Sequence, residues 1–112
     1  MLFMIMIREV TRNDLNSVKA LWADGDVMKY VGFPEGLQET DESMNDWYEW
    51  VKSCRPHHNG YCIFDDDVYC GETAYMIDHE HGDSAALDIK LFGFARGKGI
   101  ATKALSFAIE EA

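Results

Sequence analysis

The stretch Arg96-Gly97-Lys98-Gly99-Ile100-Ala101 decides how this chain is read. It joins a strand-like run over residues 85–91 to a helix-like run from Lys98 to Ala112. Two glycines and two cations therefore stand where a helix begins. A helix start carries unpaired backbone N–H groups and about half a positive charge from its aligned peptide dipoles. Glycine lets a large anion come close to that backbone. The stretch reads as a grip on a phosphorylated ligand.

Two familiar phosphate loops do not fit. A Walker A loop reads G-x-x-x-x-G-K-S/T. Here Gly93 and Gly97 have three residues between them, and Gly99 stands where the magnesium-binding hydroxyl belongs. A dinucleotide fingerprint, G-x-G-x-x-G, follows the first strand of a βαβ unit. Gly97 and Gly99 supply only G-x-G, near the end of the chain. The pattern that fits is Arg/Gln-x-x-Gly-x-Gly/Ala, from Arg96 to Ala101. The helix behind it puts Ile100, Ala104, Phe107 and Ala108 on one face.

This pattern resembles the acetyl-CoA pyrophosphate loop of the GNAT family of N-acetyltransferases. Ile5-Met6-Ile7-Arg8-Glu9-Val10, followed by Asn13-Asp14-Leu15, resembles the first strand and first helix start of the family's RimJ/RimL-like branch. Asp26-Val27-Met28-Lys29-Tyr30-Val31-Gly32 resembles that branch's post-helix segment, and Gly71-Glu72 adds to the likeness. The resemblance covers nearly all of the chain. It implies an α/β (α+β) acyl-CoA N-acyltransferase fold, with a mixed, mostly antiparallel sheet and helices on both faces. It also implies one domain over residues 1–112 that stops after the loop helix, before the family's fifth strand.

Periodicity along the chain gives the order βααβββα. Residues 4–10 read as a strand. Thr11 or Asn13 caps a helix running to about Ala23, with Leu15, Val18, Leu21 and Trp22 on one face. Asp24-Gly25-Asp26 ends it, and residues 27–39 read as a loop. Thr40 or Asp41 starts a second helix to about Ser53, with Met44, Trp47, Tyr48 and Val51 on its buried side. Strands over residues 61–64 and 68–77 are joined by Asp65-Asp66-Asp67, a tight hairpin because Asp tolerates turn geometry. The strand over residues 85–91, the glycine loop and the last helix follow.

Composition sets further bounds. A chain of 112 residues, 47% hydrophobic and 27% charged, suits one domain with one core. A net charge of −10 and a pI near 4.6 argue against nucleic-acid binding, which needs a basic face; such a surface attracts a cationic substrate or, for most of its carboxylates, serves solubility. Cys54, Cys62 and Cys70 are odd in number and lack C-x-x-C spacing. Residues 1–7 are apolar but too short to span a membrane. The reading is a cytoplasmic protein with free thiols and no membrane partner. His79-Glu80-His81 and Asp65-Asp66-Asp67 lack spacing that closes a metal shell, so no metal is expected. The tryptophans and methionines at helical spacing read as core.

The resemblance implies a direct reaction, in which a primary amine attacks the thioester of acetyl-CoA. The amine would be a peptide N-terminus, a polyamine, an aminoglycoside or another small amine. Backbone N–H groups of Gly97, Lys98, Gly99, Ile100, Ala101 and Thr102 would hold the pyrophosphate, with Arg96 and Lys98 adding charge. Backbone groups at Ile89 and Leu91 would pair with the pantetheine arm. An N–H near Leu91 would polarise the thioester carbonyl, with Gly93 marking a bulge or bend. Freeing an amine of pKa near 10.4 at pH 7 costs about 4.6 kcal/mol, so a carboxylate is expected to assist. Glu72 is the first candidate and Asp88 the second, each set against the plain alternative of a solvent-facing strand residue. No general acid is assigned. Two other classes stay open: a non-catalytic acyl-CoA-binding or regulatory module, and a subunit completed by a partner chain. The strand over residues 85–91 would lie on an open edge, which a second copy is expected to cover as a homodimer.

Overall fold

The computed structural model describes residues 5–55, 57–78, 84–97 and 99–111. Four strands, β1 (Ile5–Glu9), β2 (His58–Asp65), β3 (Val68–Asp78) and β4 (Ser84–Leu91), form one sheet in the order β1-β2-β3-β4. All three pairings are antiparallel. The β2–β3 turn has Asp66 at φ 49° and Asp67 at φ 67°. Two successive positive φ values fit the twist of a two-residue hairpin, and Asp is among the few residues that adopt them cheaply.

Helices α1 (Leu15–Ala23) and α3 (Asp41–Cys54) cover one face of this sheet, and α4 (Ile100–Glu111) covers the other. On the first face Val18, Met44 and Val51 close over Val10 and Cys62, with Trp22 edge-on to Trp47. On the second, Ile100 and Ala104 pack on Ile63, Cys70 and Leu91, and Phe107 meets Tyr61 edge-on. The stripe expected on the last helix is thus the buried one, with Phe107 half-buried at its margin.

The ends of the elements follow from side-chain chemistry. Thr40 and Ser43 cap α3 reciprocally: the Ser43 N–H donates to Thr40 Oγ1 at 3.0 Å, and the Thr40 N–H to Ser43 Oγ at 2.9 Å. The first helix begins later than its capping residues suggest, because Arg12–Asp14 form a 3₁₀ turn before Leu15. The segment expected to be a loop from residue 27 instead opens with a one-turn helix, α2 (Gly25–Met28), and a 3₁₀ turn, Lys29–Val31. Asp24 ends α1 and caps α2, accepting from the Asp26 N–H at 2.9 Å. The four described strands carry no parallel pair, so the expected mixed sheet is antiparallel in this part.

One register irregularity matters below. Ile63 faces Gly71 but Phe64 faces Tyr69, so Cys70 is an extra residue in β3. Bulges bend a strand and re-aim its side chains. Gly93, read as marking a bulge or bend, starts the 3₁₀ turn Gly93–Ala95 that leaves the sheet.

Asp14 ties β1 to the start of α1. It is buried, takes both Arg8 guanidinium nitrogens at 2.7 and 2.9 Å, and accepts from the Thr11 N–H at 2.8 Å. Burial pushes its pKa up, but Arg8 and Thr11 outweigh this and hold it below the usual range. A carboxylate with a depressed folded-state pKa stabilises the fold above its unfolded pKa, near 3.9. That contribution is lost as the pH falls through the lower, folded value. Asp14→Asn is expected to lower stability at pH 7 by roughly 2 kcal/mol, the scale of a hydrogen bond to a charged group. Thermal melts of both proteins should converge as the pH is taken below about 4.

Candidate functional site

Four of the residues expected to meet acetyl-CoA, Ile89, Leu91, Arg96 and Ala101, gather around one hollow of about 240 Å³. Ile89 and Leu91 form its strand wall, Arg96 and Ala101 its loop and helix wall, and Val27 and Tyr30 its far side. β3 occupies one edge of β4; on the other edge, no strand pairs with β4 among the described residues. An extended ligand arm could use that edge as a further strand would.

The glycine loop is built for close approach. Gly97 and Gly99 have φ +77° and +76°, a region other residues enter only with strain. A Cβ placed on either would meet nothing within 4 Å, so the space beside both backbones is open. The first turn of α4 then presents the N–H groups of Ile100, Ala101 and Thr102, which have no partner within a helix. The Ile100 side chain is buried in the core and anchors this turn, so only its backbone can serve a ligand. Thr102 turns to a different groove, of about 600 Å³, shared with Met6 and Phe107 between β1 and α4. Lys98 lies outside the described residues.

Arg96 is already engaged. Its guanidinium donates to Asp26 Oδ2 and the Asp26 carbonyl at 3.1 Å each and to the Leu91 carbonyl at 3.3 Å, and it sits 5.0 Å from the centre of the Tyr30 ring. It therefore bridges α2 to the end of β4 and fixes the mouth of the hollow. Asp26 also pairs with Lys29 at 2.9 Å, and Lys29 first and Arg96 second hold its carboxyl below the usual range.

Glu72 is not the solvent-facing residue that strand alternation allowed. It is 5% exposed, on the face covered by α1. Trp22 Nε1 donates to its Oε1 at 2.6 Å, and Lys90 Nζ lies 3.5 Å from the same oxygen. Lys90, directly across the β3–β4 ladder from Glu72, also pairs with Asp88. Burial is the largest influence on Glu72 and raises its pKa; Lys90 and Trp22 oppose this without cancelling it. Burial alone would lower the Lys90 pKa, but the two carboxylates keep it raised. The result is a chain of charges, Glu72–Lys90–Asp88, closed at the Glu72 end and open at Asp88, whose side chain is 44% exposed.

The sequence reading missed four participants. Trp22 was assigned to the core, and its ring is there, but its N–H needs a partner when buried and finds Glu72. Lys90 could be found only with the strand register in hand. Tyr30 lies in the segment read as loop, and Asp26 in the turn read as ending the first helix. Trp50 departs from the expected core role in the other direction, being 46% exposed. Among the described residues no group of three or more His, Cys, Asp or Glu side chains could hold a metal ion, and the three cysteines are free. No helix among them is long and apolar enough to cross a membrane.

Residues 5–112 match the Acetyltransferase (GNAT) domain, and the chain belongs to that family. No curated protein sequence matches it. Solved structures do. An N-acetyltransferase from Staphylococcus aureus Mu50 superposes with a TM-score of 0.77 at 23% identity, over 96% of this chain and 65% of that one. A spermidine N-acetyltransferase from Vibrio cholerae, in complex with CoA and spermine, gives 0.77 at 19%, over 95% and 62%. A GNAT superfamily phosphinothricin acetyltransferase from Sinorhizobium meliloti, in complex with AcCoA, gives 0.74 at 18%, over 95% and 58%. The fold implied by the loop is the fold these neighbours share. The chain spans less than two thirds of the length of each of the three.

Proposed function

We propose that this chain binds acetyl-CoA and directs its acetyl group to a primary amine by direct attack. The observation that carries the reading is the convergence of Ile89, Leu91, Arg96 and Ala101 on one hollow beside the open Gly97 and Gly99 backbone. The loop and the first turn of α4 take the pyrophosphate, and the free edge of β4 takes the pantetheine arm. Arg96 acts chiefly by holding α2 against β4, and shares its charge with the bound phosphates. The motifs around Ile5, Asp26 and Gly71 favour the RimJ/RimL-like branch.

The attacking amine must lose a proton. A general base has to reach that proton directly or through one water. Exposure favours Asp88 for this task, because Glu72 lies behind Lys90 and Trp22. Glu72 then acts through Lys90, fixing the ammonium that orients Asp88.

Acetyl-CoA, and CoA more weakly, is expected to raise the melting temperature, whereas NAD and ATP are not. Gly99→Val, which fills the open space beside a strained backbone, should remove that protection. Unchanged acetyl-CoA affinity in this variant, by calorimetry, would refute the loop assignment. Arg96→Ala should weaken binding by about 1–2 kcal/mol.

Turnover on an amine panel separates transfer from a purely regulatory acyl-CoA-binding role. Asp88→Asn is expected to cut turnover about 10²-fold and to remove the acidic limb of the pH–rate profile. Glu72→Gln should displace that limb while leaving it visible. Wild-type turnover in Asp88→Asn, with a large loss in Glu72→Gln, would hand the proton to Glu72.

The outer edge of β4 also bears on assembly. Unpaired strand edges attract other strands. A second copy pairing along the part of that edge before Ile89 would give a two-fold dimer and leave the hollow beside Ile89 and Leu91 to the pantetheine arm. Light scattering across a dilution series should show the mass of two chains falling to one. A single-chain mass at high concentration would exclude the dimer.

A further inference from the structure

A second hollow, of about 230 Å³, adjoins the first along β4 on the face that carries Glu72. On that face its walls are His58, Ala74, Met76, Ala86 and Asp88. The register explains it. His58 faces Met76, which faces Ala86; Gly60 faces Ala74, which faces Asp88. Small residues at Gly60, Ala74 and Ala86 leave the sheet surface low. The space equals the liquid volume of about eight waters, enough for the end of a small molecule.

The chemistry of the walls is selective. Met76 is a large apolar side chain left 45% exposed. Among the described residues Asp88 is the one carboxylate lining the cleft, and the nearby cation, Lys90, is already shared between Asp88 and Glu72. His58 is backed by Trp50, ring centres 4.7 Å apart, and its Nδ1 is buried without a hydrogen-bond partner. Folded proteins pair most buried polar atoms, so such an atom on a cleft wall marks a place for a ligand's polar hydrogen. Burial lowers the His58 pKa, which keeps the ring neutral beside a cation.

We propose that this cleft is the acceptor subsite, and that it takes a primary amine on a short apolar body in preference to a phosphorylated or anionic amine. The inference rests on the acetyl-transfer reading above and names the substrate class for it. Asp88 receives the ammonium, Met76 covers the body, and His58 accepts a hydrogen bond. Among the described residues, a phosphate would meet Asp88 with no uncommitted cation on the cleft. Asp88 adjoins Ile89 in the strand, so the amine arrives beside the segment assigned to the acyl arm.

The test is calorimetry on the chain saturated with CoA, using phenethylamine, butylamine and glucosamine 6-phosphate as probes. The two apolar amines are expected to bind at least tenfold more tightly than the phosphorylated one. His58→Gln and Ala86→Leu should each weaken amine binding tenfold or more while leaving CoA affinity unchanged. The unmodified chain gives an independent readout, since the imidazole nitrogen signals of His58 should shift when an apolar amine is added. Equal or tighter binding of the phosphorylated amine would overturn the inference and leave the acetyl-transfer reading standing; so would His58 signals that do not move. Failure of the wild-type chain to bind CoA would remove the acetyl-transfer reading, and this inference with it.

Discussion

Much of this structure depends on how closely β3 and β4 approach at Gly71. A Cβ there would sit 1.9 Å from the Lys90 carbonyl oxygen and 2.9 Å from the Leu91 Cα. No side chain fits, because the obstructing atoms are backbone. The approach follows directly on the Cys70 irregularity, and together they set the register that puts Glu72 opposite Lys90. The Phe92 N–H closes the crossing by donating to the Cys70 carbonyl at 2.9 Å. Beyond that point the chain leaves the sheet through Gly93–Ala95 and delivers Arg96 and the glycine loop to the end of β4. A larger residue at position 71 would force the strands apart, with a cost of about 1–3 kcal/mol by the usual scale of overpacking.

That register also explains how three charges share a nearly closed space. A buried carboxylate is costly unless it is paired and hydrogen-bonded. Glu72 meets both conditions through Lys90 and Trp22, yet its pKa stays raised, so desolvation outweighs the pairing. For a group of this kind, stability is greatest below its unfolded pKa and declines as the pH rises through the folded value. Asp14 is the opposite case, a carboxylate whose partners win and whose contribution fades in acid. Both are buried Asp or Glu residues with a cationic neighbour. The difference lies in geometry: Arg8 grips Asp14 with two short bonds, whereas Lys90 is 3.5 Å from Glu72 and divided with Asp88. Asp14 is thus held in its charged form by its partners, whereas burial favours the neutral form of Glu72.

The parts legible in the sequence were those written in local periodicity and turn chemistry. The apolar stripe Ile100, Ala104, Ala108 is buried as spaced, and the Asp66-Asp67 turn adopts the conformation those residues tolerate. The glycine loop was readable because its context, strand then helix, is contiguous. What escaped was long-range. The Glu72–Lys90 pair needs the register of two strands, and the Trp22–Glu72 bond joins residues 50 apart in the chain. The one-turn helix α2 escaped because it is too short to show a period; it is held by the Asp24 cap and by Arg96, 70 residues from Asp26. The exposure of Trp50 was also invisible, since its position on α3 continues a spacing that otherwise marks the core.

The two hollows along β4 meet at one pair of residues. Lys90 lines the hollow with the glycine loop, and Asp88 lines the cleft with His58. These two side chains are bonded to each other and lie on the same face of one strand, two residues apart, so their Cα atoms are roughly 7 Å from one another. A change in charge on either side is therefore felt on the other without any movement of the backbone. Anionic phosphates arriving near Arg96 and Lys90 would draw on the positive charge that now holds Asp88. The Asp88 carboxylate would then be less compensated and a better partner for a cation. By linkage, an ammonium at Asp88 would free Lys90 to face the anion by the same amount. Donor and acceptor would thus favour each other's binding through a single ammonium, with Glu72 keeping that ammonium in reach of both.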